Sequence, residues 1–173
     1  MKIRQAKTEE FEAVRSFYHK MTDWLDTVQY GPGWKKDIYP SPEDLMSAIS
    51  GGELWVAESE NGFAAAMIVN SLAVEGYENA AWRVNCGENE VSLIHALGVM
   101  PEFQRKGVSS RMVEHAIGLA RSKNHKAVRL DVLEGNLPAE KLYPKHGFEY
   151  IETVNIFYED TGWANYELFE LVL

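Results

Sequence analysis

A single cysteine, Cys86, stands in the 173 residues, so no disulfide can close within the chain and no multi-thiolate metal site can form. A reducing compartment is the natural setting for such a sequence. Long apolar runs are missing as well. The longest, Phe63 to Val69, has seven residues, whereas about 20 are needed to cross a bilayer. Met1-Lys2-Ile3-Arg4-Gln5-Ala6-Lys7 places charge where a signal peptide needs an apolar stretch. The expectation is a soluble, cytoplasmic protein that engages no membrane. Positive charge is also in deficit: 17 Lys and Arg face 26 Asp and Glu, a formal charge of -9, which argues against a nucleic-acid surface because phosphate neutralisation needs a cationic face. A local basic cluster would still suffice for one anionic ligand. No His-Glu-x-x-His, Gly-x-Ser-x-Gly or paired-cysteine motif occurs, so metalloprotease, serine hydrolase and zinc-domain readings fall away and no metal is expected.

What is present is the composition of a folded chain, 46% hydrophobic and 25% charged, at a length that favours one domain over residues 1–173. Ile3 to Gln5 reads as a short strand. Thr8 is placed to cap a helix carrying Glu9 and Glu10 in its first turn, with a buried stripe of Phe11, Val14, Phe17, Tyr18, Met21 and Leu25. Tyr30 to Pro40 has neither periodicity and reads as an ordered loop, with Tyr30, Trp34 and Tyr39 as core aromatics or pocket walls. Ser41-Pro42-Glu43-Asp44 opens a second helix that Gly51-Gly52 ends. Strands over 53–59 and 63–70 flank Asn61-Gly62, a hairpin turn signal. A connection over 76–90 leads to a strand at 91–99, an amphipathic helix follows from about 111 to 122, and then come a strand at 127–132, a short helix at 138–145 and closing strands at 148–158 and 165–173. This order implies an α/β fold, a mixed α+β sheet of about seven strands flanked by about four helices, with one strand-helix-strand crossover between residues 91 and 132. Ligands gather outside the carboxyl ends of parallel strands, which draws attention to the loop after Val99.

That loop, Gln104-Arg105-Lys106-Gly107-Val108-Ser109-Ser110, joins a strand to a helix amino end, where backbone N–H groups, the helix dipole and two cations can meet one phosphate. It is neither a Walker loop nor a dinucleotide fingerprint, since Lys106 precedes its glycine and the three-glycine pattern is absent. The segment Leu97 to Ser109 resembles the acetyl-CoA signature Gln/Arg-x-x-Gly-x-Gly/Ala of the Gcn5-related N-acetyltransferases, with Gln104 and Gly107 matching and Ser109 standing where Gly or Ala is usual. Leu130-Asp131-Val132, Asn136, Ala139 and Leu142-Tyr143-Pro144-Lys145-His146-Gly147-Phe148 resemble the family's second half-motif. The resemblance is strong over residues 91–150.

The resemblance implies the acyl-CoA N-acyltransferase fold, with acetyl-CoA as co-substrate and a small-molecule or peptide amine as acceptor. Backbone around Leu97, Gly98 and Val99 would pair with the pantetheine arm, helped by a strand bulge. Gln104, Arg105, Lys106, Gly107, Val108, Ser109 and Ser110 would cradle the pyrophosphate, Asn136 would touch the cofactor, and Tyr143 would protonate the departing thiolate. The acceptor ammonium must lose a proton, which calls for a base. His95, sharing strand parity with Leu97 and Val99, is the first candidate, and Glu90, acting through water, the second. A rival reading keeps the same cradle in a non-catalytic acyl-CoA-binding module. The acceptor's identity, a longer acyl group and a homodimer stay open.

Overall fold

The computed structural model describes residues 1–72 and 74–173. Its elements are β1 (Ile3–Gln5), α1 (Phe11–Leu25), α2 (Pro42–Ser50), β2 (Leu54–Ser59), β3 (Gly62–Asn70), β4 (Val91–Val99), α3 (Val108–Ser122), β5 (Ala127–Leu133), α4 (Leu137–Leu142), β6 (Glu149–Tyr158) and β7 (Gly162–Val172). The strands form one mixed sheet in the order β1-β2-β3-β4-β5-β7-β6, antiparallel except for the parallel β4 and β5. The mixed seven-stranded α/β expectation is met. Among the described residues no helix is long and apolar enough to cross a membrane.

Local chemistry accounts for several boundaries. At α2 the Ser41 hydroxyl accepts from the Asp44 amide at 3.1 Å and the Asp44 carboxylate accepts from the Ser41 amide at 3.0 Å, so the helix starts where its capping pair lies. At α1 the expected Thr8 cap is corrected. Residues Thr8–Glu10 form a 3-10 turn, and the Glu10 carboxylate takes the Lys7 amide while Arg4 pairs with it. The β2-β3 turn also shifts: Ser59 pairs with Gly62, leaving Glu60 and Asn61 at the tip.

The sheet divides the core into two sides. On the first, α3, α4 and Phe148 cover Ala65, Met67, Ile94, Val99, Leu130 and Phe169. On the second, α1 and α2 cover Val56, Ala66, Ile68 and Ala96, and the connection before β4 closes over Leu93 and Leu168 through Tyr77. That connection is tied down by a buried pair. The Arg129 Nε donates to Glu170 at 2.9 Å and its Nη2 to the Val84 carbonyl, while the second Glu170 oxygen accepts from the Arg83 amide at 2.8 Å.

Candidate active site

Two strand irregularities open the site. The β4-β5 pairing runs only from Val91 with Ala127 to Leu93 with Arg129, after which the strands part. Within β4, Ala66 pairs with Gly98 but Ile68 pairs with His95, so β4 holds one extra residue opposite β3. Ala96 takes up the bulge with φ at 50, and its carbonyl accepts a 2.9 Å hydrogen bond from the buried Tyr18 hydroxyl of α1. The Met100 amide donates to Ala64, which sets the phase of pairing past the bulge. Gly98 therefore turns its backbone to β3, whereas the amides of Leu97 and Val99 turn into the gap, where no strand meets them.

Beyond β4 the loop bends through two left-handed residues, Arg105 at φ 57 and Gly107 at φ 77. Gly107 precedes α3, whose first main-chain bond runs from the Arg111 amide to Gly107. The amides of Val108, Ser109 and Ser110 are thus without intrahelical partners, and no acid sits in the first turn. A Cβ on Gly107 would meet nothing within 4 Å. The open space beside Gly107 and the unpaired amides suit an anion, and the donors and the gap together fit a pyrophosphate carrying an extended amide arm.

A cleft of about 530 Å³ runs from this loop through the gap to the second side of the sheet. Leu97, Gly98, Val99, Gln104, Arg105, Gly107, Ser109, Ser110, Asn136 and Tyr143 all border it. Three side chains of the loop are engaged within the chain itself. The Gln104 side chain donates to the Val99 carbonyl at 3.0 Å, bracing the loop. Lys106 lies over the Phe103 ring, and the Val108 side chain is buried in the core. Gly98 serves packing, since a Cβ there would come within 3.3 Å of Trp34. Tyr143 is buried with its hydroxyl bonded to no other group among the described residues, and burial pushes that phenol above its usual range. Asn136 begins α4, its carbonyl accepting from the Ala139 and Glu140 amides.

The two base candidates fare unequally. His95 borders the cleft, but the bulge resets parity, so His95 faces the second side with Ile68 while Leu97 and Val99 face the first. Burial lowers it to about 4, and its Nε2 meets Asn70 Oδ1 at 3.1 Å, so it is neutral at pH 7. Glu90 is not among the residues that border the cleft; it lies at the opposite end of β4, half-exposed, paired with Lys126 at 2.7 Å and accepting from the Gly87 amide.

The side chain that sequence reading passed over is Asp131. It points to the second side of β5, two residues beyond the last β4-β5 pair, and borders the cleft. Its Oδ2 accepts from Tyr158 at 2.5 Å and from Tyr77 at 3.0 Å. Its Oδ1 is bonded to no other group among the described residues, and the residue borders the cleft. Burial raises its pKa. A signal existed in Arg129-Leu130-Asp131, two charges on one face of an apolar strand. Tyr30, Trp34 and Tyr39 wall the same end, as one of the two sequence readings held. Tyr39 reaches Tyr158 ring to ring at 5.9 Å, and Gly33 packs against Thr161, which closes this side.

Residues 15–148 match the model of the Acetyltransferase (GNAT) family. The chain belongs to the GNAT acetyltransferase family. Among curated relatives, an uncharacterized N-acetyltransferase of Methanocaldococcus jannaschii is 33% identical over 82 residues, 47% of this chain and 34% of that protein, so the chain spans about a third of that relative's length. A provisionally named phosphinothricin acetyltransferase of Bacillus subtilis is 29% identical over 86% of this chain and 83% of its own. Solved GNAT structures share the fold: one from Listeria monocytogenes superposes with a TM-score of 0.76 at 19% identity, covering 99% of this chain and 94% of that one. YncA of Salmonella typhimurium, solved with acetyl-CoA, does so with a TM-score of 0.71 at 17% identity, covering 100% and 94%. GNAT membership thus rests on the sequence match, and the strand gap and the loop before α3 are where the family's motifs fall in this chain.

Proposed function

We propose that this GNAT protein transfers an acetyl group from acetyl-CoA to a primary amine by direct attack within a ternary complex. The observation that carries the reading is the continuity of one cleft from the unpaired amides at the start of α3, past the free amides of Leu97 and Val99, to the Tyr143 hydroxyl. Acetyl-CoA, when bound, supplies the activated thioester. The amides of Val108, Ser109 and Ser110 and the Arg105 side chain hold the pyrophosphate, with Asn136 alongside, and Leu97 and Val99 bind the pantetheine arm as a strand would.

Asp131 receives the acceptor ammonium and takes one proton from it. The freed nitrogen lone pair attacks the thioester carbonyl carbon, the carbon–sulfur bond breaks, and the Tyr143 hydroxyl gives its proton to the sulfur. The second proton lost from nitrogen restores Tyr143 through water, so one amide, one thiol and one released proton balance each turnover. His95 is the less suited base, because its Nε2 is already engaged by Asn70 Oδ1. The unbonded Tyr143 hydroxyl favours turnover over a binding-only module. The test is thiol release from acetyl-CoA across an amine panel, with the acetylated product identified by mass. Saturable CoA binding with no amine-dependent thiol release would refute the proposal.

A further inference from the structure

The second end of the cleft is unlike the first in charge. The cations on its wall, Arg105, Lys141 and Lys145, come from the loop before α3 and from α4 with the turn after it. Past the gap the wall carries two carboxylates, Asp131 and Asp160, set among Trp34, Tyr39, Tyr158 and Tyr166, with no cationic side chain. Asp160 is 4% exposed and accepts from the Thr161 amide at 3.0 Å, while Lys35 bears on it from off the wall. Asp131, on the cleft wall, spends one oxygen on two tyrosine hydroxyls, and its other oxygen is bonded to no other group among the described residues.

We propose that the acceptor is a primary amine with an apolar or aromatic body and no carboxylate, phosphate or phosphinate near the amine, received by Asp131 among the aromatic walls. This deepens the acetyl-transfer reading and rests on it. An ammonium finds a carboxylate and the negative faces of aromatic rings here. An acid group beside the amine finds no cationic side chain on this wall among the described residues, and would be desolvated next to Asp131 and Asp160 as a further like charge. Amino acids, phosphinothricin included, therefore belong to the refused class. The aromatic walls supply area for the body of the acceptor without supplying a counter-charge.

Matched pairs that differ by one carboxylate beside the amine test this directly: tyramine against tyrosine, and phenethylamine against phenylalanine, titrated by calorimetry into the chain saturated with CoA, alongside phosphinothricin. The expected result is that tyramine and phenethylamine bind at least about tenfold tighter than their amino-acid partners, that phosphinothricin binds no better than those, and that Asp131→Asn erases most of the preference. Equal or tighter binding of the amino acids, or no binding of either amine to the CoA-loaded chain, would overturn the inference. A failure of CoA itself to bind would instead strike the acetyl-transfer reading. Should Asp131→Asn fail to fold, the matched pairs on the unaltered chain decide alone.

Discussion

Tyr143 and Asp131 carry opposite halves of the proposed proton traffic, and their surroundings suit them to it. Burial keeps Tyr143 a neutral phenol with a proton to give, so Tyr143→Phe should cut kcat roughly 100-fold or more while leaving CoA affinity almost unchanged, because a general acid acts only as charge develops on sulfur. Parallel calorimetry and steady-state kinetics check this. Asp131 must be ionised to receive an ammonium, and burial raises its pKa, so kcat/KM for the amine should fall as pH drops through a limb set above the ordinary carboxylate value of about 3.9. Asp131→Asn should abolish the limb, and His95→Gln should leave it in place. The place of His95 also shows where reasoning from strand parity ends. The spacing from His95 to Leu97 is correct for a regular strand, but Tyr18, 78 residues from Ala96, holds the bulge that turns His95 to the other side.

The elements that carry these side chains are held from outside the site. The loop between α1 and α2 bears Trp34 and Tyr39, and Asp37 fastens it to α1, accepting from Arg15 Nε at 2.8 Å and Nη2 at 2.7 Å and meeting His19 at 2.8 Å. These pairs hold the Asp37 carboxyl well below its usual range. Asp37→Asn keeps a residue that tolerates the left-handed backbone there and removes the charge. It should barely move the melting temperature, since exposed ion pairs contribute little, yet raise KM for the amine severalfold as the aromatic wall loosens. The connection over residues 74–90 delivers Tyr77 to Asp131 and is pinned by Arg129 and Glu170, which are 9% and 0% exposed at their side chains. Arg129→Ala strands a buried carboxylate and should cost about 3–5 kcal/mol in urea unfolding. Elements whose signals are local were legible in the sequence: the Ser41 to Asp44 cap, the stripe of α1, and the Gln104 to Gly107 loop before α3. The role of Asp131 was not, because two tyrosines from distant segments qualify it.

Across the whole molecule, the sheet does two jobs at once. Its first side anchors α3, which opens on the proposed pyrophosphate cradle, and α4, which Tyr143 follows, and its second side carries the proposed acceptor chamber. The cleft joins them where β4 parts from β5. The account therefore stands or falls on the co-substrate entering that gap with its phosphates at Gly107. Replacing Gly107 by Glu puts a carboxylate before the unpaired amides; its Cβ meets nothing within 4 Å among the described residues, so the cost to the fold is the left-handed backbone at φ 77 and the fold should persist. The most direct measurement is a calorimetric titration of CoA into the chain and into Gly107→Glu, with circular dichroism confirming both are folded. Saturable binding of one CoA per chain, weakened at least about 100-fold in the variant, is the expected result; no binding by the unaltered chain, or equal binding by a folded Gly107→Glu protein, would contradict the account.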